Sequence, residues 1–414
     1  MRSRPFVALY IAVFAATMGI SMVSPLLPVY AKDLGASGVW LGLTFSVFAI
    51  VQTFFGPFAG QLSDRFGRKP FIILGILIYI IAALGYLTAT TFIQVIAFRA
   101  FSGFGTSLVF SVARAYVGDM TPRGQEGRWL GVFATADIVG FGSGPLVAGL
   151  FRELLGFRSV FVAMAALLAF AAFVLLFWLP RHSPLELQHR SGEVVKLKTV
   201  GFRTAMSDKL VAAVTVQQGL LALAVGASFS FLALRLEDGL HASPIAIGVA
   251  FATQDLTGGF MQPVLGRIAD KRNRRYLVTI GLGWNAVMLS LVGFVPAYGL
   301  VVLLLFSMGL GNALSAVSAA ALQVVAGRRV GMGTVLGLGS ASNGAGIVVG
   351  SVAGGLLVDQ FGLGAAFLFG GMVMMAGVPT FLALTRGVHM RESAGLPLTV
   401  LAVPPTLEAP GTGQ

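Results

Sequence analysis

Three ionisable side chains stand inside long apolar stretches of this sequence: Arg99, Asp137 and Asp255. A charge at the centre of a membrane helix costs at least about 2.5–3.5 kcal/mol, so each group should face other helices and find a partner there. An acid whose cationic partner comes and goes can bind a proton in one state and release it in another. Asp137 and Asp255 are therefore predicted as alternative proton carriers, and structural hydrogen bonding is the competing explanation.

The depths of Arg99 and Asp137 predict that these two residues approach each other. Arg99 lies about five residues from the centre of its apolar stretch, a distance of roughly 7 Å at the helical rise, and Asp137 lies about two residues from the centre of the next stretch. An arginine side chain is long enough to bridge much of that gap if the two helix faces agree.

Uncharged polar residues also lie at membrane depth: Gln217, Gln218, Gln254 and Asn312. Each amide fits either a hydrogen bond between helices or a contact with a bound molecule. Phe104 and Phe229 are candidates for the apolar wall of a cavity, although phenylalanine is also common on lipid-facing surfaces.

Several chemistries are excluded by the residues that are missing. The chain has no cysteine, only four histidines and no His-Glu-x-x-His pattern, so we predict no metal site and no cofactor. It has no Gly-x-x-x-x-Gly-Lys-Ser/Thr sequence, which argues against ATP-driven work. The net charge of +12 does not indicate nucleic-acid binding, because the basic residues fall in short gaps between apolar runs. We predict that the protein is not an enzyme.

The elements that position these residues are predicted to be membrane helices. Hydrophobic residues make up 56% of the chain and charged residues 11%, whereas soluble domains carry about 25% charged residues. A helix of about 20 apolar residues spans a bilayer. The sequence therefore predicts an all-α membrane protein with twelve transmembrane helices, near residues 6–31, 38–61, 70–89, 92–115, 128–150, 156–180, 209–234, 243–268, 276–295, 297–323, 332–358 and 361–386.

Lysine and arginine are divided unevenly between the two sides of these spans. Twenty-two lie on the side of both termini, and four lie on the other side. Because positive residues are retained in the cytoplasm, we predict a multi-pass protein of the cell membrane with both termini cytoplasmic. Residues 181–208 should be a cytoplasmic linker between helix bundles at 1–180 and 209–386, and residues 387–414 a disordered tail.

The sequence aligns on itself without a gap at an offset of 206 residues. Because an even number of spans separates the copies, the two halves should have the same orientation. This repeat predicts two pseudo-symmetric six-helix bundles. The matched pairs include Pro57 with Pro263, Asp64 with Asp270, Arg68 with Arg274, and Gly144 with Gly350.

The loop between the second and third spans reads Gly60-Gln61-Leu62-Ser63-Asp64-Arg65-Phe66-Gly67-Arg68-Lys69-Pro70. It closely resembles the signature loop of the major facilitator superfamily, and the resemblance covers all twelve spans. The resemblance implies that a substrate cavity lies between the bundles and that the protein alternates between inward- and outward-open states. It also implies a conformational latch that holds the outward-open state. The matching latch residues are Gly60, Asp64, Arg65, Gly67 and Arg68, with Arg114, Asp119, Asp270 and Arg274 as expected partners.

Two further stretches resemble motifs of this family. The fourth span carries Arg99 in a sequence similar to a motif whose arginine is linked to proton coupling. Gly140, Gly144, Pro145 and Gly149 are similar to a motif typical of the antiporters, in which small residues allow close helix packing and proline permits a bend. We expect the four amides and two phenylalanines named above to line the substrate cavity.

These features favour a secondary transporter, most like the twelve-helix drug/proton antiporter branch of the family. It would export a drug-like compound or metabolite in exchange for protons. Uptake or facilitated diffusion of a sugar or organic acid is the alternative, and a membrane sensor or scaffold is a third possibility. The expected partners are a small-molecule substrate, protons and the lipid bilayer, with no nucleic acid, and we predict a monomer.

Overall fold

The computed structural model describes residues 4–121, 126–180 and 202–387. Over these residues the chain is helical and contains no β-strand. Two of the helices are short, α2 (Leu27–Asp33) and α8 (Phe202–Ala205). The long helices are α1 (Arg4–Val23), α3 (Gly38–Phe66), α4 (Arg68–Thr88), α5 (Phe92–Met120), α6 (Glu126–Leu155), α7 (Phe157–Trp178), α9 (Lys209–Leu240), α10 (Pro244–Lys271), α11 (Arg274–Val292), α12 (Tyr298–Val330), α13 (Met332–Phe361) and α14 (Leu363–Leu384).

These twelve long helices have the length needed to cross a bilayer. Within the described residues, eleven of them are also apolar enough to be recognised as membrane spans. The twelfth, α10, is less apolar because Gln254, Asp255 and Gln262 face the interior of the protein. It packs between α6 and α12, as a spanning helix at this position must. The predicted all-α fold with twelve transmembrane helices is confirmed.

The repeat of 206 residues reappears in the helix boundaries. Helices α3, α4, α5, α6 and α7 begin at residues 38, 68, 92, 126 and 157, and their counterparts α10 to α14 each begin 206 residues later. The turn before the last helix of each half is made by a glycine with a φ of 82°, at Gly156 and at Gly362. The two halves are therefore pseudo-symmetric copies of one six-helix bundle.

Helix packing follows the same repeat. In the first half α1 packs against α6 and α7, and α5 packs against α3 and α4. In the second half α9 packs against α13 and α14, and α12 packs against α10 and α11. The halves meet along two helix pairs, α6 with α10 and α3 with α13. The offset of 206 residues converts each of these pairs into the other.

Residues 181–201 and 388–414 lie outside the described residues, so the predicted extents of the linker and the tail stay predictions.

We call the end of the protein that carries Arg4, Phe66, Met120, Trp178 and Lys209 the linker end, and the opposite end the far end. The names refer only to the chain and assign neither end to a side of the membrane.

Cations cap the last helix of each half at the linker end. Lys69 Nζ donates to the carbonyl oxygens of Leu176 (2.8 Å) and Leu179 (2.5 Å) at the end of α7. At the equivalent place, Arg275 Nη2 donates to the carbonyl oxygen of Leu382 (2.5 Å) near the end of α14. Unpaired carbonyl groups and the helix dipole make a helix C-terminus favourable for a cation. The repeat therefore retains the charge at this place although the residue type differs.

Glycine allows neighbouring helices to touch within each half. A Cβ added to Gly105 of α5 would stand 2.7 Å from the carbonyl oxygen of Gly75 in α4. A Cβ added to Gly281 of α11 would likewise stand 2.7 Å from the carbonyl oxygen of Gly311 in α12. These backbones can approach each other only because glycine has no side chain.

We predict that Gly105→Ala destabilises the protein by about 1–3 kcal/mol, the usual cost of added volume in a packed interior. Gly118 in the same helix is the matched control, because a Cβ at that position meets no atom of the described residues within 4 Å. Gly118→Ala should be neutral or stabilising by up to about 1 kcal/mol through helix propensity. Thermal unfolding of the purified variants in detergent measures both effects, and equal effects of the two substitutions would contradict this packing.

Candidate transport cavity

A cavity of about 1050 Å³ lies between the two halves. Toward the far end it is closed by backbone contacts between halves, where Gly42 meets Ser351 and Gly149 meets Pro244, and its lining extends toward the linker end as far as Arg114, Gln323 and Leu336. Its walls come from α1, α3, α5 and α6 of the first half and from α9, α10, α12 and α13 of the second half. The lining side chains include Thr17, Phe48, Gln52, Phe110, Arg114, Asp137, Phe141, Gln218, Gln254, Asp255, Gln262, Asn312, Gln323 and Asn343.

Asp137 has two partners on the wall formed by the first half. Arg114 Nη2 donates a hydrogen bond to Asp137 Oδ2, and Thr17 Oγ1 donates one to Asp137 Oδ1; both are 3.0 Å long. The Arg114 side chain is 63% exposed and the Asp137 side chain 26% exposed, so the pair borders the open cavity. The cluster joins α1, α5 and α6. A proton placed on Asp137 would remove its negative charge and leave Arg114 without this ionic partner.

Arg99 does not contact Asp137, which corrects the expectation from sequence. The Arg99 residue is only 1% exposed. Its Nη2 donates a hydrogen bond of 2.7 Å to Ser24 Oγ, and its Nε donates one of 3.3 Å to the carbonyl oxygen of Thr44. The guanidinium carbon lies 4.3 Å from the centroid of the Phe48 ring, and Phe48 separates it from the cavity. Arg99 is thus a buried cation held by hydroxyl, carbonyl and aromatic groups of the first half.

The length of α5 explains why Arg114 takes the place expected for Arg99. The apolar run predicted that the fourth span ends at residue 115, which would put Arg114 at a solvated helix end. The helix instead continues to Met120. Arg114 follows Arg99 by 15 residues, or about 22 Å of helix. From this position nearer the linker end, the Arg114 side chain reaches Asp137.

The second half contributes an amide-rich wall around Asp255. Gln218, Gln254 and Asn312 line the cavity. Asp255 Oδ2 and Gln218 Oε1 are buried and have no hydrogen-bond partner among the described residues. Asn312 Oδ1 accepts a hydrogen bond from Asn285 Nδ2 over 2.8 Å. This wall therefore offers hydrogen-bond acceptors that a proton or the donor groups of a bound molecule can satisfy.

Gln217, Phe104 and Phe229 do not line this cavity, contrary to expectation. Gln217 is only 3% exposed, because consecutive residues of a helix point about 100° apart and Gln218 takes the cavity-facing direction. Phe104 packs against an aromatic ring of α3, and Phe229 packs against rings of α3 and α10. All three side chains serve helix packing in this conformation.

Several lining residues were not identified from the sequence, among them Thr17, Gln52, Gln262 and Asn343. Asn343 could have been predicted from the repeat, because it follows Asp137 by 206 residues and is therefore the equivalent residue of the second half. Thr17 gives no such signal, since a threonine in an apolar helix is ordinary. Its contact with Asp137 depends on how α1 is rotated against α6.

Part of the expected charge network at the linker end is formed. Arg68 Nε donates to Asp119 Oδ2 over 2.5 Å, and Arg68 Nη2 donates to Asp119 Oδ1 over 3.2 Å. The two side chains are 11% and 9% exposed. Arg114 does not join this pair, because it contacts Asp137 in the cavity.

The other expected latch residues lie around this pair. Gly67 makes the turn between α3 and α4 with a φ of 94°, a conformation that favours glycine. Gly60 has open space around it, Arg65 is exposed and Arg274 begins α11. The side chains of Asp64 and Asp270 lie outside the described part of the chain, so the complete latch stays a prediction.

The small residues of α6 face two different neighbours. A Cβ on Gly140 would stand 2.9 Å from the carbonyl oxygen of Phe14 in α1, and Gly144 is equally close to that helix. Pro145 and Gly149 meet α10 of the other half. The stripe therefore holds α6 against its own bundle and against the opposite bundle.

The family model of the Major Facilitator Superfamily matches residues 9–234 and 214–405 of this chain. The chain belongs to the Major Facilitator Superfamily. The two pseudo-symmetric bundles and the cavity between them are the architecture expected from the resemblance.

Proteins with similar sequences and structures agree with this family. The chain is 28% identical over 381 residues to multidrug resistance protein 2 of Bacillus subtilis, covering 90% of this chain and 93% of that protein. It is 27% identical over 311 residues to quinolone resistance protein NorA of Staphylococcus aureus, covering 73% and 77% of the two chains. The crystal structure of the nucleoside transporter NupG superposes with a TM-score of 0.75 at 15% identity, covering 93% of this chain and 100% of that one. The protein is a multi-pass membrane transporter, and it is not an enzyme.

We predict an energetic coupling of about 0.2–1 kcal/mol between Arg114 and Asp137, the range found for ion pairs open to water. Thermal unfolding of Arg114→Gln, Asp137→Asn and the double variant gives this coupling as a double-mutant cycle. Arg114→Gln combined with Asp255→Asn is the control cycle and should be additive, because Asp255 lies on the opposite wall. Additive effects in the Arg114–Asp137 cycle would show that the ion pair is not formed.

Proposed function

We propose that the protein exports small, largely apolar compounds across the cell membrane in exchange for protons. The observation that carries this proposal is a single cavity with an acid on each wall, Asp137 in the first half and Asp255 in the second half. Both acids lie where a substrate would bind, so proton binding and substrate binding can influence each other through one cavity.

The two acids differ in how they can take up a proton. Asp137 exchanges its ionic contact with Arg114 for a proton, and Arg114 is then free to contact a substrate or another acceptor. Asp255 has a buried oxygen that finds no hydrogen-bond partner in the part of the chain that the structure describes. An unpaired carboxylate is costly to bury, whereas a neutral carboxyl group is not. Either acid can therefore carry the proton, and mutation distinguishes them.

The direction of transport in this proposal rests on the charge of the linker end. From the sequence we predict twenty-two lysines and arginines on that side, and this charge supports a cytoplasmic position for the linker end and both termini. With that orientation the cavity opens to the cytoplasm, as an exporter requires when it loads its substrate. The relatives named for multidrug and quinolone resistance support export as well.

Transport of a more polar metabolite is the second candidate function. The amides of Gln52, Gln218, Gln254, Gln262 and Asn343 give the cavity more hydrogen-bonding groups than an apolar compound needs. These groups would suit a hydroxylated or heterocyclic solute.

Transport into everted membrane vesicles with an imposed proton gradient tests these functions, after a substrate screen in an efflux-deficient cell. We predict accumulation that depends on the gradient. Replacement of the acid that carries the proton, by Asp137→Asn or Asp255→Asn, should lower this accumulation by at least about tenfold, the scale of one lost electrostatic interaction of 1.4 kcal/mol. Exchange of labelled for unlabelled substrate without a gradient should persist in that variant.

Asp208→Asn is the matched control for this experiment, because Asp208 caps α9 at the linker end and lies outside the cavity. Gradient-independent exchange in the parent protein would favour facilitated diffusion. Unchanged gradient dependence in both cavity variants would refute the assignment of the proton to either acid, and an absence of flux for every compound would favour a sensor or scaffold.

A further inference from the structure

The far end of the protein is closed by a hydrogen-bonded contact that crosses between the two halves. Asp359 lies two residues before the end of α13 in the second half. Its Oδ1 accepts a hydrogen bond of 2.7 Å from the N–H of Gly38, and its Oδ2 accepts one of 3.1 Å from the N–H of Val39. Gly38 and Val39 are the first two residues of α3 in the first half. One carboxylate of one bundle therefore caps a helix of the other bundle.

The residue before α3 does not supply this cap itself. The first N–H groups of a helix have no partner within the helix, and a serine just before the helix commonly accepts one of them. Ser37 occupies that position but makes no such hydrogen bond. Asp359 satisfies the free N–H groups in its place, and its negative charge is also favourable at the positive end of the helix dipole.

The same contact is present on the opposite side of the pseudo-symmetry axis. Glu153 of α6 precedes Asp359 by 206 residues, and its Oε2 accepts the N–H of Ile245 in α10 over 3.0 Å. Pro244 begins α10 and has no N–H, so this carboxylate receives one hydrogen bond where Asp359 receives two. Ser243 caps the next free N–H of the same helix, that of Ala246, over 3.3 Å.

Side-chain ion pairs complete the closure of the far end. Arg152 of α6 donates two hydrogen bonds to the carboxylate of Glu237 in α9, with lengths of 2.8 Å and 2.5 Å. Lys32 of α2 contacts Asp238 of α9 over 2.6 Å, with both side chains more than 40% exposed. Opening the far end must break the two helix caps, the Arg152–Glu237 pair and the buried hydrogen bond between Ser46 and Ser351, whereas the exposed Lys32–Asp238 pair contributes little.

We propose that Asp359 and Glu153 are the gate residues of the far end. Each carboxylate holds the end closed by capping the N-terminus of a helix in the opposite half, and each cap is lost when the halves separate there. The relevant helices are the two pairs that form the interface, α3 with α13 and α6 with α10. Breaking the caps therefore accompanies the change between the two open states.

The sequence places an acid at the corresponding end of all four interface helices. Asp64 and Asp270 lie within the last three residues of α3 and α10, as Glu153 and Asp359 do in α6 and α13. Two of these acids belong to the linker end and two to the far end. The gate proposed here rests only on the far-end pair, whose contacts the structure describes.

The test measures how often the far end opens, using an introduced cysteine as the reporter. The chain has no cysteine of its own. Ser46 of α3 is fully buried and hydrogen-bonds Ser351 of α13 beneath the gate. Ser46→Cys is therefore shielded from a maleimide reagent until the far end opens. The labelling rate is measured on purified protein in detergent, and Ser351→Cys provides a second reporter if the first variant does not fold.

We predict that Asp359→Ala raises the labelling rate about fivefold. This is the fold-change that corresponds to a lost helix cap of about 1 kcal/mol. Glu153→Ala should raise the rate less, because only one hydrogen bond is lost, and the double variant should exceed either single variant.

Asp208→Ala is the matched control, since Asp208 caps α9 through the N–H groups of Leu210 (2.8 Å) and Val211 (3.1 Å) within one half. It should lower thermal stability and leave the labelling rate unchanged. Labelling rates in Asp359→Ala and Glu153→Ala equal to that of the parent would overturn the proposal, as would an equal increase in Asp208→Ala. The measurement uses neither substrate nor a proton gradient, so its failure is distinguishable from failure of the proposed export.

Discussion

The structure depends on one constraint: a polar group within the membrane must find its partner inside the protein, because lipid offers none. Arg99 meets this requirement with Ser24, Thr44 and Phe48, deep in the first bundle. Asp137 meets it with Arg114 and Thr17 at the cavity wall. Asp255 keeps a buried oxygen for which the described residues offer no hydrogen-bond partner. The groups with exchangeable or missing partners border the cavity, and these are the groups that we propose as proton carriers.

The pseudo-symmetry of the fold is the basis for the two open states that we propose. The two halves contact each other along α3 with α13 and α6 with α10, and the repeat interchanges these pairs. Glycine and serine let the backbones approach closely at the far end, for instance where Gly42 meets Ser351. One buried apolar cluster lies within the first half and another within the second half, whereas a third joins Val29, Ala31, Ala36 and Leu41 to the second half near the far end. In the proposed mechanism, a tilt that closes the linker end opens the far end.

The sequence predicted the helices and the repeat because both depend on local pattern and on spacing along the chain. Contacts between residues on different helices were harder to predict. The spacing of residues along the chain determines how deep each one lies in the membrane, but it does not determine how each helix is rotated about its own axis. Gln217 and Gln218 show the difference: one is buried in the bundle and the other lines the cavity. The sequence also predicted that the fourth span ends at residue 115, five residues before the observed end of α5 at Met120. Arg114 was therefore not predicted to contact Asp137, and Arg99 was predicted in its place. The capping of α3 by Asp359 requires the tertiary structure, because no local pattern joins residues 38 and 359.

The central claim is that the two halves move as bodies around the cavity, with one end open at a time. Distances between pairs of spin labels test it most directly, because the absence of cysteine lets each pair be placed alone. One pair joins exposed positions at the linker end, Phe66 and Arg272, and the other joins Thr90 and Ala297 at the far end. On a change of pH or addition of substrate, the account predicts that one distance shortens as the other lengthens. Two distances that change in the same direction, or only one that changes, would contradict it.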